Sequence, residues 1–158
     1  MHNQIASYLF RVDDDLVLRR QVCFALYTAS RAVTDVYRPI LDRLGLTYPQ
    51  YLVLLVLWER DAAPTVSELG TELRLDSGTL SPLLKRLEGA GLVVRRRAAR
   101  DERRVEVELT DAGRALREPA CDVPHRVAAS TGLTLDELVA LRDTLTRVTE
   151  TIHRQKGK

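Results

Sequence analysis

The sequence predicts a mainly α fold with a small β part (α+β), built on one compact core. Three observations point there. Apolar residues, led by Leu and Val, make up 45% of a 158-residue chain with only 5% aromatics, enough for a single core. They recur at three- and four-residue spacing along most of the chain, the period of a helix with one buried face. Strict alternation, the period of a half-buried strand, is confined to one basic stretch around residues 92–109.

Taken in order, Val22, Leu26, Val33, Val36, Ile40 and Leu44 predict a helix from Leu16 to about Leu44 that Pro39 kinks or divides. Thr47-Tyr48-Pro49-Gln50 reads as a capping box with Pro early in the first turn, opening a helix to about Asp61. After a polar turn, Thr65-Val66-Ser67-Glu68 is a second capping box and starts a short helix to about Leu73. A tight connection follows. Ser77 or Asp76 can cap the next helix, which places Leu80, Leu83, Leu84 and Leu87 inward and ends at Gly89 and Gly91.

Two short helices across a short turn form a helix-turn-helix candidate. Residues 92–97 are strand-like, and Val105, Val107 and Leu109 alternate with Glu106 and Glu108, with a charged tip at Ala98–Glu102 between them. A helix-turn-helix followed at once by a basic hairpin is a winged helix. Beyond it, Thr110-Asp111 opens a helix that Pro119 and Pro124 interrupt and Gly132 ends. Thr134-Leu135-Asp136-Glu137 is a third capping box, starting a final helix with Leu138, Leu141, Leu145, Val148 and Ile152 along one face.

Charge is unevenly placed. From Arg74 to Arg104 there are nine Lys or Arg against four Asp or Glu, a net of +5 that leaves the remainder of this +2 chain at −3. Positive charge gathered on one small element suits phosphate, whereas a merely solvated surface mixes signs. The longest apolar run, Tyr51–Trp58, is far too short to span a bilayer. The first fifteen residues lack the pattern of a signal peptide, so a cytoplasmic location is expected. In that reducing compartment two cysteines about a hundred positions apart make a conditional rather than a constitutive bond.

A helix that reads the major groove presents short polar and basic side chains outward. Here those are Ser77, Thr79, Ser81, Lys85 and Arg86, and Arg86 can reach either a phosphate or guanine. The hairpin carries Arg95, Arg96, Arg97, Arg100, Arg103 and Arg104, suited to the electronegative minor groove. Asp101 is expected to pair with Arg103 and hold the wing in shape. The competing reading is that these arginines merely solubilise a hairpin.

The run Asp76-Ser-Gly-Thr-Leu-Ser-Pro-Leu-Leu-Lys-Arg-Leu-Glu-Gly-Ala-Gly-Leu-Val, with Arg95-Arg-Arg, Asp101-Glu-Arg-Arg and Leu109-Thr-Asp-Ala-Gly113, resembles the MarR family of transcriptional regulators. The resemblance spans about residue 19 to the end. It implies a winged-helix homodimer joined by its terminal helices, with residues 1–47 and 111–158 as the dimerisation region and 48–110 as the DNA-binding region. Double-stranded operator DNA is the implied partner, with no membrane, metal or cofactor.

Cys23 sits on an apolar helical face, where a cysteine is more often a small core residue than a sensor. Arg19 and Arg20, four and three positions earlier, would share that face and favour the thiolate. Gln21-Val-Cys23-Phe-Ala-Leu-Tyr27, with Tyr37 and Tyr48, resembles the organic-hydroperoxide-sensing (OhrR-like) branch of the family. That resemblance implies that Cys23 is oxidised first, that Tyr37 and Tyr48 hydrogen-bond to it, and that oxidation releases DNA. Fourteen residues of straight helix measure roughly 21 Å, so the tyrosines come from the partner subunit or the helix breaks. In two-cysteine members the resolving thiol lies just before the Thr-Gly that precedes the last helix, where this chain has Ala128-Ala129-Ser130. Cys121 falls about two turns earlier, and either resolves Cys23 or leaves that task to a low-molecular-weight thiol.

Besides a winged helix used only for protein contacts, which strong salt-dependent DNA binding would exclude, two other readings remain at the level of sequence. One is a MarR-type repressor released by a small aromatic ligand, with Cys23 incidental. The other is a thiol peroxidase using Cys23, which an expectation of no enzymatic activity opposes, since His2, His125 and His153 show neither triad nor metal-ligand spacing and no Gly-rich phosphate loop occurs.

Overall fold

The computed structural model describes residues 16–98 and 101–156. They fall into two compact units divided between Val36 and Tyr37. A 3₁₀ turn, Leu18–Arg20, precedes α1 (Val22–Asp42), and Gln21 between them is extended. Then come α2 (Tyr48–Glu59), α3 (Val66–Leu73), α4 (Ser77–Gly89), strands β1 (Val93–Ala98) and β2 (Asp101–Leu109), α5 (Asp111–Ala115), α6 (Arg117–Ala120), α7 (Val123–Thr131) and α8 (Leu135–Lys156).

The start of α1 corrects the sequence reading. Extended backbone at Gln21 interrupts the helix expected from Leu16, so Arg19 and Arg20 lie on a separate turn and share no helical face with Cys23. Residues 16–21 offer no Ser, Thr, Asp or Asn to cap a longer helix. Instead the Gln21 carbonyl accepts from the amides of Phe24 and Ala25 and opens α1 there. Pro39 does not divide α1, which continues through it to Asp42.

The helix starts follow the capping chemistry. At α3 the Thr65 amide donates to Glu68 Oε2 at 2.8 Å and the Glu68 amide returns a bond to Thr65 Oγ1 at 3.3 Å. The same exchange joins Thr134 and Glu137 ahead of α8. Asp76 rather than Ser77 caps α4, its Oδ1 accepting the Thr79 amide at 2.9 Å. These bonds satisfy amides that no preceding turn can reach.

The core of the second unit is the buried row Tyr51, Val53, Leu54 and Leu57 of α2, together with Leu69, Leu80, Leu84, Leu87, Val93 and Val107. The two strands pair antiparallel, Val93 opposite Leu109 and Arg95 opposite Val107. The base of the hairpin is fastened by backbone: Val107 donates to the Pro64 carbonyl at 2.9 Å and Thr110 to that of Leu92 at 3.1 Å. Trp58 Nε1 donates to the Gly113 carbonyl at 2.9 Å, tying α2 to α5. This is the winged helix the sequence predicts, mainly α with one small antiparallel hairpin.

Candidate DNA-contact face and thiol site

Helix α4 has two unlike sides. Leu80, Leu83, Leu84 and Leu87 are buried, while Ser77, Thr79, Ser81, Lys85 and Arg86 are exposed. All five positions proposed to meet DNA thus lie outside the core. The Thr79 hydroxyl is shared with the cap, since it donates to Asp76 Oδ2 at 3.1 Å. The Thr79 amide first, and then this hydroxyl, hold the Asp76 carboxyl below its ordinary range.

Arg95, Arg96, Arg97, Arg103 and Arg104 of the wing are exposed as well. A groove of about 390 Å³ runs between wing and helices, lined among others by Ser67, Ser81, Arg95, Arg103 and Arg104. Several of these guanidiniums are engaged. Arg95 reaches Glu88 of α4 through Nε at 3.0 Å and Nη2 at 2.6 Å. Arg104 reaches Glu68 of α3 at 3.0 Å, and Arg96 stands 3.4 Å from Glu108 on the neighbouring strand. Arg100 and the side chain of Asp101 lie outside the described residues, and with them the expected Asp101–Arg103 pair.

The sequence marks Glu68 only as a capping residue and gives Glu88 no role, so neither contact with the wing arginines was foreseen. Glu88 was the signal available: a carboxylate near the end of an otherwise basic helix, seven positions before the first wing arginine.

The thiols fall in different units. Cys23, in the first, is exposed on α1; Cys121, in the second, is exposed at the end of α6. The Cys121 thiol donates to the Arg117 carbonyl at 3.3 Å. Tyr37 and Tyr48 are brought together, ring centroids 4.5 Å apart, and the buried Tyr51 joins them at 6.1 Å from Tyr37. Burial, with the neighbouring Tyr48 and Tyr51, pushes the Tyr37 phenol up to about 12. Burial likewise raises Tyr48. Tyr51 is raised by burial first, then by Tyr48 and by Cys121 nearby. These phenols therefore stay protonated at neutral pH and can donate hydrogen bonds.

Among the described residues no group of His, Cys, Asp and Glu is arranged to hold a metal ion. Nor is any described helix long and apolar enough to cross a membrane.

Residues 35–118 match the family model described as transcriptional regulator SarA/Rot. The chain is 50% identical over 145 residues to the HTH-type transcriptional regulator TtmR of Methylorubrum extorquens (strain PA1), covering 92% of this chain and 74% of that protein. It is 44% identical over 142 residues to the organic hydroperoxide resistance transcriptional regulator of Bacillus subtilis (strain 168), covering 90% and 96%. Among solved structures it resembles AbfR of Staphylococcus epidermidis. Reduced AbfR bound to DNA superposes with a TM-score of 0.73 at 36% identity, covering 90% of this chain and 99% of that one. Overoxidized AbfR, also bound to DNA, gives 0.72, and disulfide-formed AbfR 0.59. Fold, family model and relatives agree, and the chain belongs to the MarR-type winged-helix family of transcriptional regulators.

Proposed function

We propose that this protein is a repressor that binds operator DNA as a reduced homodimer and lets go when an organic hydroperoxide oxidises Cys23. The observation that carries the DNA half is α4: hydroxyls, Lys85 and Arg86 face outward over a sealed leucine row, beside a hairpin rich in arginine. That is the arrangement a recognition helix and wing require. Residues 48–110 form the reading head in this account, and 1–47 with 111–158 the dimerisation region. The apolar side of α8 supports a second copy, since Leu141, Val148 and Ile152 stay 46%, 42% and 49% exposed in one chain.

The redox half rests on the exposed Cys23 thiol and on the likeness to the Bacillus subtilis regulator. The Cys23 thiolate attacks the terminal peroxide oxygen; the O–O bond breaks, an alcohol leaves, and the sulfur becomes a sulfenic acid. A second thiol then attacks that sulfur, forming S–S and expelling water. Because AbfR is bound to DNA both reduced and overoxidized and has a separate disulfide form, the disulfide is read here as the releasing species. Cys121 of the partner subunit is the proposed second thiol, and a low-molecular-weight thiol the alternative. With α1 one helix from Val22 to Asp42, Tyr37 and Tyr48 are assigned to Cys23 of the other protomer.

Gel-shift binding of wild type and Cys23→Ser, with and without cumene hydroperoxide, tests this reading. Both bind when reduced, and wild type alone releases on oxidation. Release of Cys23→Ser as well would remove Cys23 as the sensor. Release of both by a phenolic acid, with none by peroxide, would instead favour a small-ligand repressor.

A further inference from the structure

We propose that Glu88 and Glu68 are positioning residues for DNA reading: each holds a wing arginine, Arg95 and Arg104, and together they fix the hairpin's angle to the helix-turn-helix. The proposal rests on the DNA-binding reading above and reassigns Arg95 from a DNA contact to part of the frame.

The hairpin leaves the core along a row in which Val93, 2% exposed, and Val107, fully buried, face the helices. Arg95 is opposite Val107 in the register, so the next inward position after Val93 carries a guanidinium instead of an apolar side chain. Glu88 meets it there. The carboxylate accepts not only from Nε and Nη2 but also from the Arg95 backbone amide, at 3.2 Å. At the same rung the amide of Val107 goes to the Pro64 carbonyl. Both amides of this rung, which point away from the two-stranded ladder, are thus captured by neighbouring elements, one by backbone and one by Glu88.

On β2, Arg104 donates to Glu68 Oε1, while Glu68 Oε2 accepts the Thr65 amide that starts α3. One carboxylate therefore joins a helix start to the wing. Arg95 holds the Glu88 carboxyl below its ordinary range; Glu68 is lowered chiefly by its bonds to Thr65, with Arg104 adding to the effect.

These pairs are partly solvated, with side chains 34% exposed at Arg95 and Glu88, and exposed ion pairs contribute little to net stability. What the contact supplies is direction, since Nε and Nη2 of Arg95 converge on Glu88 Oε2 while the Arg95 backbone amide holds Oε1. A wing tethered to both helices meets the minor groove at the angle set by α4 in the major groove.

The test is salt-dependent binding of full-length protein to a duplex selected by wild type from a random-sequence library, with an unselected duplex as control. Glu88→Gln removes a negative charge near DNA, so pure electrostatics demands tighter binding and, if Arg95 is freed to meet phosphate, a salt slope steeper by about 0.9. The proposal demands the reverse: about tenfold weaker binding to the selected duplex, little change on the unselected one, and an unchanged slope. Arg95→Lys, which keeps the charge but loses the fork, should weaken binding as Arg95→Gln does, and Glu88→Gln with Arg95→Gln together should be no worse than either alone. Melting temperatures close to wild type would establish that each variant is folded. Tighter or unchanged binding by Glu88→Gln, or a slope flattened by about 0.9 in Arg95→Gln, overturns the proposal while leaving the DNA reading intact. Absence of any salt-dependent binding by wild type overturns both.

Discussion

Gly113 is the residue with least room. A Cβ built there would stand 2.1 Å from the Leu92 carbonyl oxygen and 3.1 Å from Leu109 Cδ2, while its own carbonyl accepts the Trp58 indole bond. Backbone at that distance cannot yield as a side-chain tip can. Gly113→Ala is therefore expected to cost about 3 kcal/mol, read as a lower urea midpoint with unchanged m-value, and to loosen the wing base at Leu92. The sequence displays this glycine only as one letter of Thr110-Asp-Ala-Gly113. Its necessity comes from Leu92, the residue just before β1 and 21 positions away, folding onto it.

Among the elements, the helix starts were the most legible. Thr65/Glu68 and Thr134/Glu137 form the reciprocal bonds their spacing announces, because capping uses only residues within one turn. The start of α1 was not legible, since apolar periodicity marks a face and not an end, and only the geometry of Gln21 reveals the break. The capping carboxylates, together with Glu88 at the wing, also carry a pH signature. Glu68, Asp76, Glu88 and Glu137 all sit below their ordinary values of 4.5, or 3.8 for Asp76, chiefly through hydrogen bonds to the charged form. A depressed folded-state value means stability fully present above the ordinary one and lost as pH falls through the depressed one. Thermal unfolding followed from pH 7 downward should therefore hold level to about pH 4.5 as regards these groups and decline below it. Glu68→Gln with Glu137→Gln, which removes two of these titrating carboxylates while leaving an oxygen to accept the Thr65 and Thr134 amides, should make that acid decline shallower.

For the whole molecule, the decisive feature is what one chain fails to cover. Leu141, Val148 and Ile152 are nearly half exposed on α8, a row at helical spacing that water does not favour. Leu141→Glu is expected to convert a dimer to a monomer in sedimentation velocity and, with it, to weaken operator binding at least tenfold, because two half-sites no longer share one ligand. A variant that stays dimeric would place the joint elsewhere. The order of elements, the buried leucines of α4 and its outward hydroxyls and bases were fixed by the sequence alone, since periodicity and caps act within a few residues of the chain. Which carboxylates hold Arg95 and Arg104, why Gly113 must be glycine, and how Tyr37, Tyr48 and Tyr51 gather were decided only by tertiary structure. Each depends on segments distant in the chain arriving within a few ångströms of one another, and no local pattern of residues encodes that approach.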